Sequence, residues 1–200
     1  PLDDLYAAEA GARSVREMPA LLGFEGVGAR AYFALYRQAF GAEWAFTART
    51  RRPPKDPINA MLSLGYTLLG HAMMTALEAV GLDPYLGFFH TEKYGRPALA
   101  LDLVEEFRAP LVDSLVMRIA NWRMLTPDDF TPARHAGGIY LSDRGLHLFL
   151  REFGDRLASP VRLKGTRRSL SYRKHFEVQA RKLAHVIEGD QPTYEPFWAR

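Results

Sequence analysis

The sequence predicts an all-α protein. Three observations carry that prediction: apolar residues recur at helical spacing in several segments, one long segment has both a start and a stop signal, and prolines and glycines punctuate the runs. No internal repeat or low-complexity tract interrupts the pattern.

From Leu2 to Leu22 runs a charged, alanine-rich helical stretch, strained by Gly11 and Pro19, and Gly23 is expected to break it. In the next segment, FEGVGARAYFALYRQAF, residues Glu25, Ala29, Tyr32 and Tyr36 fall on one helical stripe, with Gly41 as the stop. The third helix is the best marked. Asp56 suits the N-cap, Pro57 the first helical position and Gly81 the residue just past the end. Its apolar residues lie nearly all round, which means burial from several sides or insertion in a membrane. Asn59, Ser63, Gly65, Gly70, His71 and Glu78 interrupt the run and the flanking helices are charged, so burial without a membrane is expected.

A loop carrying His90 follows, then a helix from about Leu101 to Met124 with Val104, Phe107, Leu111 and Leu115 facing a core. Pro127 and Pro132 mark a loop, GGIYL reads as a short extended piece, and Ser142 caps a helix that Pro160 ends after Ala158. The last helix runs from about Ser169 to Glu188, and the aromatic tail YEPFWAR has no assignment.

Two hundred residues, 48% hydrophobic and 24% charged, suffice for one sizeable core or two lobes sharing one, so a single helical domain over residues 1–200 is expected. The absence of cysteine excludes disulfides, iron–sulfur clusters and thiolate zinc in this sequence. It also favours the cytoplasm, as does the lack of a charged-then-apolar leader; the Pro-Leu-Asp-Asp start suggests part of something longer. The net charge of +3 is uneven: Arg162, Lys164, Arg167, Arg168, Arg173, Lys174, Arg181 and Lys182 against Glu177 give that stretch +7, so the remainder carries −4. A basic tract on a mildly acidic body points to a polyanion partner or to a solvated helix face, and Arg49, Arg51 and Arg52 form a second cluster.

Chemistry concentrates between Gly81 and Arg108. His90 lies a short loop away from Asp102, Glu105 and Glu106, and on a helix Asp102 lies one turn from Glu105 and from Glu106, so their oxygens converge on one side. Two carboxylates and one neutral imidazole suit Mg²⁺ or Mn²⁺ at a phosphodiester-cleaving site; a loop histidine beside a solvated acidic face is the plain alternative. Spacing alone does not choose between Glu105 and Glu106. The glycines at 23, 26 and 28 match no phosphate loop, and Ser63 lies in no nucleophile elbow. His71, His135, His147, His175 and His185 lack local acidic partners at ligand spacing and read as structural or surface residues.

Four segments, in order, resemble the CRISPR-associated integrase family, the first-numbered protein of that system. FEGVGARAYF is similar to its Glu-Gly-x-x-Ala-Arg-x-Tyr-Phe segment and RRPPKDPINAMLSLGYTLL to its Arg-Arg-Pro-Pro-x-Asp-Pro-x-Asn-Ala helix entry. GLDPYLGFFHTEKYGRPALALDLVEEFR resembles its histidine-and-acid segment, and GGIYLSDRGLHLFL with SYRKHFEVQARKLAHVI its closing helices. The likeness covers nearly all of residues 20–188.

The resemblance implies a metal-dependent DNA endonuclease and integrase that inserts short foreign DNA into a CRISPR array. It implies Glu25, His90 and Glu105 as ligands to Mg²⁺ or Mn²⁺, with Asp102 as a supporting acid. Arg30, Asn59, Lys93 and Arg108 match positions that support the site or contact a strand, and Arg51, Arg52, Lys164, Arg167, Arg168, Arg173 and Lys174 supply phosphate contacts. The family's N-terminal β-rich dimerisation domain has no counterpart before Leu22. Also implied are double-stranded DNA substrates, a homodimer, a small ferredoxin-like partner and, fused or separate, an iron–sulfur exonuclease. The alternative is a non-catalytic basic helical scaffold that binds nucleic acid.

Overall fold

A computed structural model describes residues 1–90, 94–132, 137–162 and 169–198. The described residues are mostly helical: α1 (Leu2–Ser14), α2 (Met18–Tyr36), α3 (Pro57–Val80), α4 (Ala98–Phe107), α5 (Ser114–Asn121), α6 (Asp143–Ala158) and α7 (Tyr172–Ile187). A π-helical segment, Arg108–Asp113, connects α4 to α5. To this helical frame are added two antiparallel hairpins of three-residue strands. In one, β1 (Phe130–Pro132) pairs with β2 (Ile139–Leu141); in the other, β3 (Pro160–Arg162) pairs with β4 (Ser169–Ser171). Only β2 was expected, as GGIYL; runs of three are too short to display alternation. Pro160 therefore opens a strand as well as closing a helix.

The chain contains two compact units, Pro1–Ser63 with Met117–Gly145, and Leu64–Val116 with Leu146–Arg200.

In the first unit the early helix breaks at Val15, not at Gly23. Val15 and Glu17 are extended, and Pro19 sits in the first turn of α2, where its missing N–H costs nothing. Gly23, with ordinary helical neighbours and open space around it, is simply carried inside the helix. The two helices form an antiparallel hairpin with Ala8 beside Gly28 and Gly11 beside Phe24, where a Cβ on Gly11 would overlap the ring. The end of α2 packs into an aromatic cluster in which Tyr36 meets Phe40 at 5.0 Å and Phe46 at 6.0 Å. Trp44, 3% exposed, meets Phe130 of β1 edge-on at 6.3 Å.

The start of α3 obeys its local signals. Asp56 Oδ1 accepts the Asn59 N–H at 2.8 Å, and Gly81 takes the left-handed conformation, φ +91°, that ends the helix. This is the one helix among the described residues long and apolar enough to cross a membrane, yet Ile58, Met61, Leu62, Leu69, Met73 and Leu77 are fully buried within the protein.

In the second unit, Gly65 of α3 lets Val112 approach, since a Cβ there would lie 2.5 Å from Val112 Cγ1. The π-helical segment directs the Pro110 carbonyl toward three donors: Ser114 Oγ at 2.8 Å, Arg156 Nη2 at 2.9 Å and Tyr172 Oη at 3.0 Å. Ser142 caps α6 as expected, accepting the Gly145 N–H at 3.2 Å within the first unit. In α7, Ser171 accepts from Lys174 N, so the helix proper starts later than Ser169, which pairs in β4 instead. His175, 1% exposed, is held below the usual imidazole range by burial, against an opposing hydrogen bond to the Val161 carbonyl.

Candidate active site

The loop before α4 is built around one carboxylate. Asp102 Oδ2 accepts the backbone N–H groups of Phe88 (2.7 Å) and Phe89 (3.0 Å), while Oδ1 accepts that of His90 (2.9 Å) and lies 2.7 Å from His90 Nδ1. Both side chains are nearly buried, at 12% and 13% exposed. A carboxylate on Nδ1 fixes the tautomer that presents Nε2 as the ligating nitrogen. Gly87 makes this docking possible: a Cβ there would lie 2.6 Å from Ala98 Cβ and 2.8 Å from the Ala98 carbonyl carbon. Its signal was the glycine three residues before a candidate ligand, which sequence reasoning passed over.

The three acids of α4 do not converge, contrary to the spacing argument, because the fold gives each a different partner. Asp102 turns to the histidine loop. Glu105, exposed, receives two bonds from Arg108 Nη1 at 2.6 and 2.8 Å. Arg108 in turn lies over the Tyr66 ring, 4.3 Å from its centroid. Burial opposes its charge, but Glu105 and Tyr66 outweigh that effect and raise its pKa. Glu106 points inward to Tyr194, Gln179 and the Phe197 N–H; burial raises its pKa, and those hydrogen bonds and Lys182 partly offset the rise. The unassigned tail is thus part of the second unit's core. A contact 88 residues distant leaves no local pattern to read.

Glu25 sits exposed on α2 in the first unit, at its eighth residue, while His90, Asp102 and Glu105 belong to the second unit. Beside Glu25 on α2, Gly26, Ala29, Arg30 and Phe33 line a cleft of about 440 Å³ whose other wall includes Thr47, Arg49 and Arg51.

Two expected strand contacts need correction. Asn59 is fully buried: Oδ1 accepts from Arg49 Nη1 (2.8 Å) and the Thr50 N–H (2.9 Å), while Nδ2 donates to Asp56 Oδ2 (2.6 Å) and the Ala48 carbonyl (2.8 Å). Burial leaves it the supporting role alone. Arg49 is committed inward to Asn59, Ser63 Oγ at 3.1 Å and the Thr50 carbonyl. Asp56 is raised above the usual carboxylate range by burial, with the Asn59 hydrogen bonds opposing.

Arg30, Arg51, Arg52, Arg173 and Lys174 are exposed, the last ion-paired with Glu177 at 2.5 Å. Lys93, Lys164, Arg167 and Arg168 lie outside the described residues. His185 also needs correction: Asp190 Oδ2 is 3.2 Å and Glu188 Oε2 4.0 Å from its Nδ1, the three being exposed at the end of α7.

Residues 2–155 match the family model described as CRISPR associated protein Cas1. The chain belongs to the Cas1 family. It is 42% identical over 189 residues to a CRISPR-associated endonuclease Cas1 of Thermus thermophilus, covering 94% of this chain and 56% of that protein. It is 42% identical over 186 residues to a Cas4 exonuclease/Cas1 endonuclease fusion of Geobacter sulfurreducens, covering 90% of this chain and 33% of the fusion. The solved structure of a casposase bound to its integration product superposes with a TM-score of 0.86 at 27% identity, covering 95% of this chain and 53% of that one. The chain thus spans about half or less of each of these proteins. What it shares with the Cas1 relatives is a mostly helical portion.

Proposed function

We propose that this chain is the catalytic portion of a metal-dependent Cas1 integrase that inserts short duplex DNA into a CRISPR array. The observation that carries the reading is the Asp102 clamp on His90, which holds the imidazole by its ring and its backbone at once. A carboxylate on one ring nitrogen is the usual outer support of a metal-ligating histidine. The donor types suit a hard divalent cation: in the second unit, one imidazole nitrogen from His90 and a carboxylate oxygen from Glu105, with Glu25 of the first unit added by family resemblance alone. Such an ion supplies Lewis-acid polarisation of the phosphoryl group and stabilises charge on the leaving oxygen.

The chain's own residues do the rest. Asp102 fixes the histidine tautomer that presents Nε2 and holds its loop in register. Arg108 neutralises Glu105 before cation and DNA arrive and then serves as a phosphate contact beside it. Arg30, Arg51, Arg52, Arg173 and Lys174 hold the strands. The 3′-hydroxyl of the incoming DNA forms a bond to phosphorus at the repeat boundary while the bond to the resident 3′-oxygen breaks; the proton lost by the attacking hydroxyl is matched by one gained at the leaving oxygen. Water in place of that hydroxyl gives nicking. Family resemblance supports a cytoplasmic homodimer with the small ferredoxin-like partner and, in some systems, the iron–sulfur exonuclease.

Strand joining on a branched substrate tests the reading. Joining is expected with Mn²⁺ or Mg²⁺, lost with chelator and abolished by His90→Ala, Glu105→Ala or Glu25→Ala, with DNA affinity kept within a few fold. Equal products with metal and with chelator would instead establish the basic scaffold.

A further inference from the structure

The tail of the second unit is gathered on a single acid of α4. Tyr194 Oη donates to Glu106 Oε1 at 2.5 Å, and the Phe197 N–H donates to Oε2 at 2.6 Å. Gln179, fully buried in α7, donates from Nε2 to the same Oε2 at 3.0 Å, to Tyr194 Oη at 2.8 Å and to the Glu195 carbonyl at 3.0 Å. The next residue of α4 is held as well: the Phe197 ring stacks on Phe107 at 4.4 Å, with His175 against its edge at 5.1 Å. Phe197 is 4% exposed.

Two consecutive residues of α4 are therefore fastened from outside the helix, one by charge-assisted hydrogen bonds and one by ring stacking. Successive helix residues are separated by about 100°, so fixing the direction of residues 106 and 107 fixes that of residue 105 and of residue 102 one turn back. That control falls where it is needed, because the helix passes into the π-helical segment at Arg108, and such wide turns relax the ordinary backbone register.

We propose that residues 194–197 form a strap which, acting through Glu106, sets the rotation of the last turn of α4 and so aims Glu105 and Arg108. Glu106 is a positioning residue in this arrangement. The inference rests on the reading of Glu105 as a ligand.

The test uses the full chain and Mn²⁺ itself as the probe, with Tyr194→Phe and Glu106→Gln as strap variants. Leu157→Ala, a buried site on α6, is the control for general loss of stability. Each protein is measured for melting temperature, for Mn²⁺ affinity by the loss of the free-ion paramagnetic resonance signal, and for hydrogen exchange at the α4 amides. The strap variants should bind Mn²⁺ about tenfold more weakly, in the range for outer support of a metal site, with joining partly restored by excess Mn²⁺. Exchange at residues 103–107 should rise more than in a control of equal melting temperature. Strap variants that match that control in Mn²⁺ affinity and in α4 exchange overturn the proposal.

Glu105→Ala, run in parallel, separates the two readings. If it leaves Mn²⁺ affinity unchanged, the ligand assignment is what fails, and α4 exchange alone then decides whether the strap fixes the helix.

Discussion

Asp102 Oδ1 lies 2.7 Å from His90 Nδ1 and 2.9 Å from the His90 backbone nitrogen, so one oxygen governs both the ring and the chain of its partner. Asp102→Asn keeps the size of the side chain but removes its charge and one of its acceptor oxygens. Mn²⁺ affinity should fall about 10–100-fold, the range for outer-support residues, as read by titration calorimetry. Wild-type affinity in this variant would remove Asp102 from the site.

Gly87→Ala makes the same point through the backbone. Its new methyl would lie 2.8 Å from a main-chain atom of α4, which cannot turn aside. The expected cost is about 1–3 kcal/mol in denaturant unfolding, together with weaker Mn²⁺ binding as the loop is displaced. A variant as stable as the parent would show that the loop does not rest on α4.

Asn59→Ala should destabilise the first unit by about 1–3 kcal/mol, because the part-buried Thr50 N–H and the buried Asp56 lose partners. Thermal melting reports this directly. Unchanged melting with weaker DNA binding would return Asn59 to the strand-contacting role.

His175 predicts an acid-side loss of stability. Its native pKa is below the ordinary value of 6.5 because the ring is buried, so as pH falls through 6.5 the unfolded chain takes up the proton first and unfolding gains. The contribution is complete above 6.5 and is eroded between there and the lower native value. His175→Gln should flatten that part of the stability profile; an equally steep profile would assign the slope to other groups.

Salt dependence separates exposed cations from committed ones. Replacing Arg51, Arg52 or Arg173 by Ala should each lower the slope of log affinity against log salt by about 0.9 if that residue meets a phosphate. Lys174, paired with Glu177, should lower it less. Arg49→Ala is expected to act on stability instead, since its guanidinium is spent on Asn59 and Ser63.

Legibility followed distance along the chain. The ends of α3 were readable because Asp56, Pro57 and Gly81 act on their immediate neighbours. The break between α1 and α2 falls where Pro19 enters a first turn, and a glycine such as Gly23 is a weaker punctuation than a proline that is at home there. His90 and Asp102, twelve residues apart, emerged from spacing, but the fate of Glu106 did not, since spacing gave three acids one face and the tail claimed one of them. Glu25 came only through family resemblance; nothing near position 25 marks it as different from any exposed glutamate.

The strap also orders events at the ribosome. The groups that close over Glu106 follow it by 73, 88 and 91 residues. With synthesis at about 5–20 residues per second, that carboxylate waits roughly 4–18 s before its donors have emerged. During that interval the helix has no reason to bury it, so the second unit should mature late, after its neighbour has had time to settle.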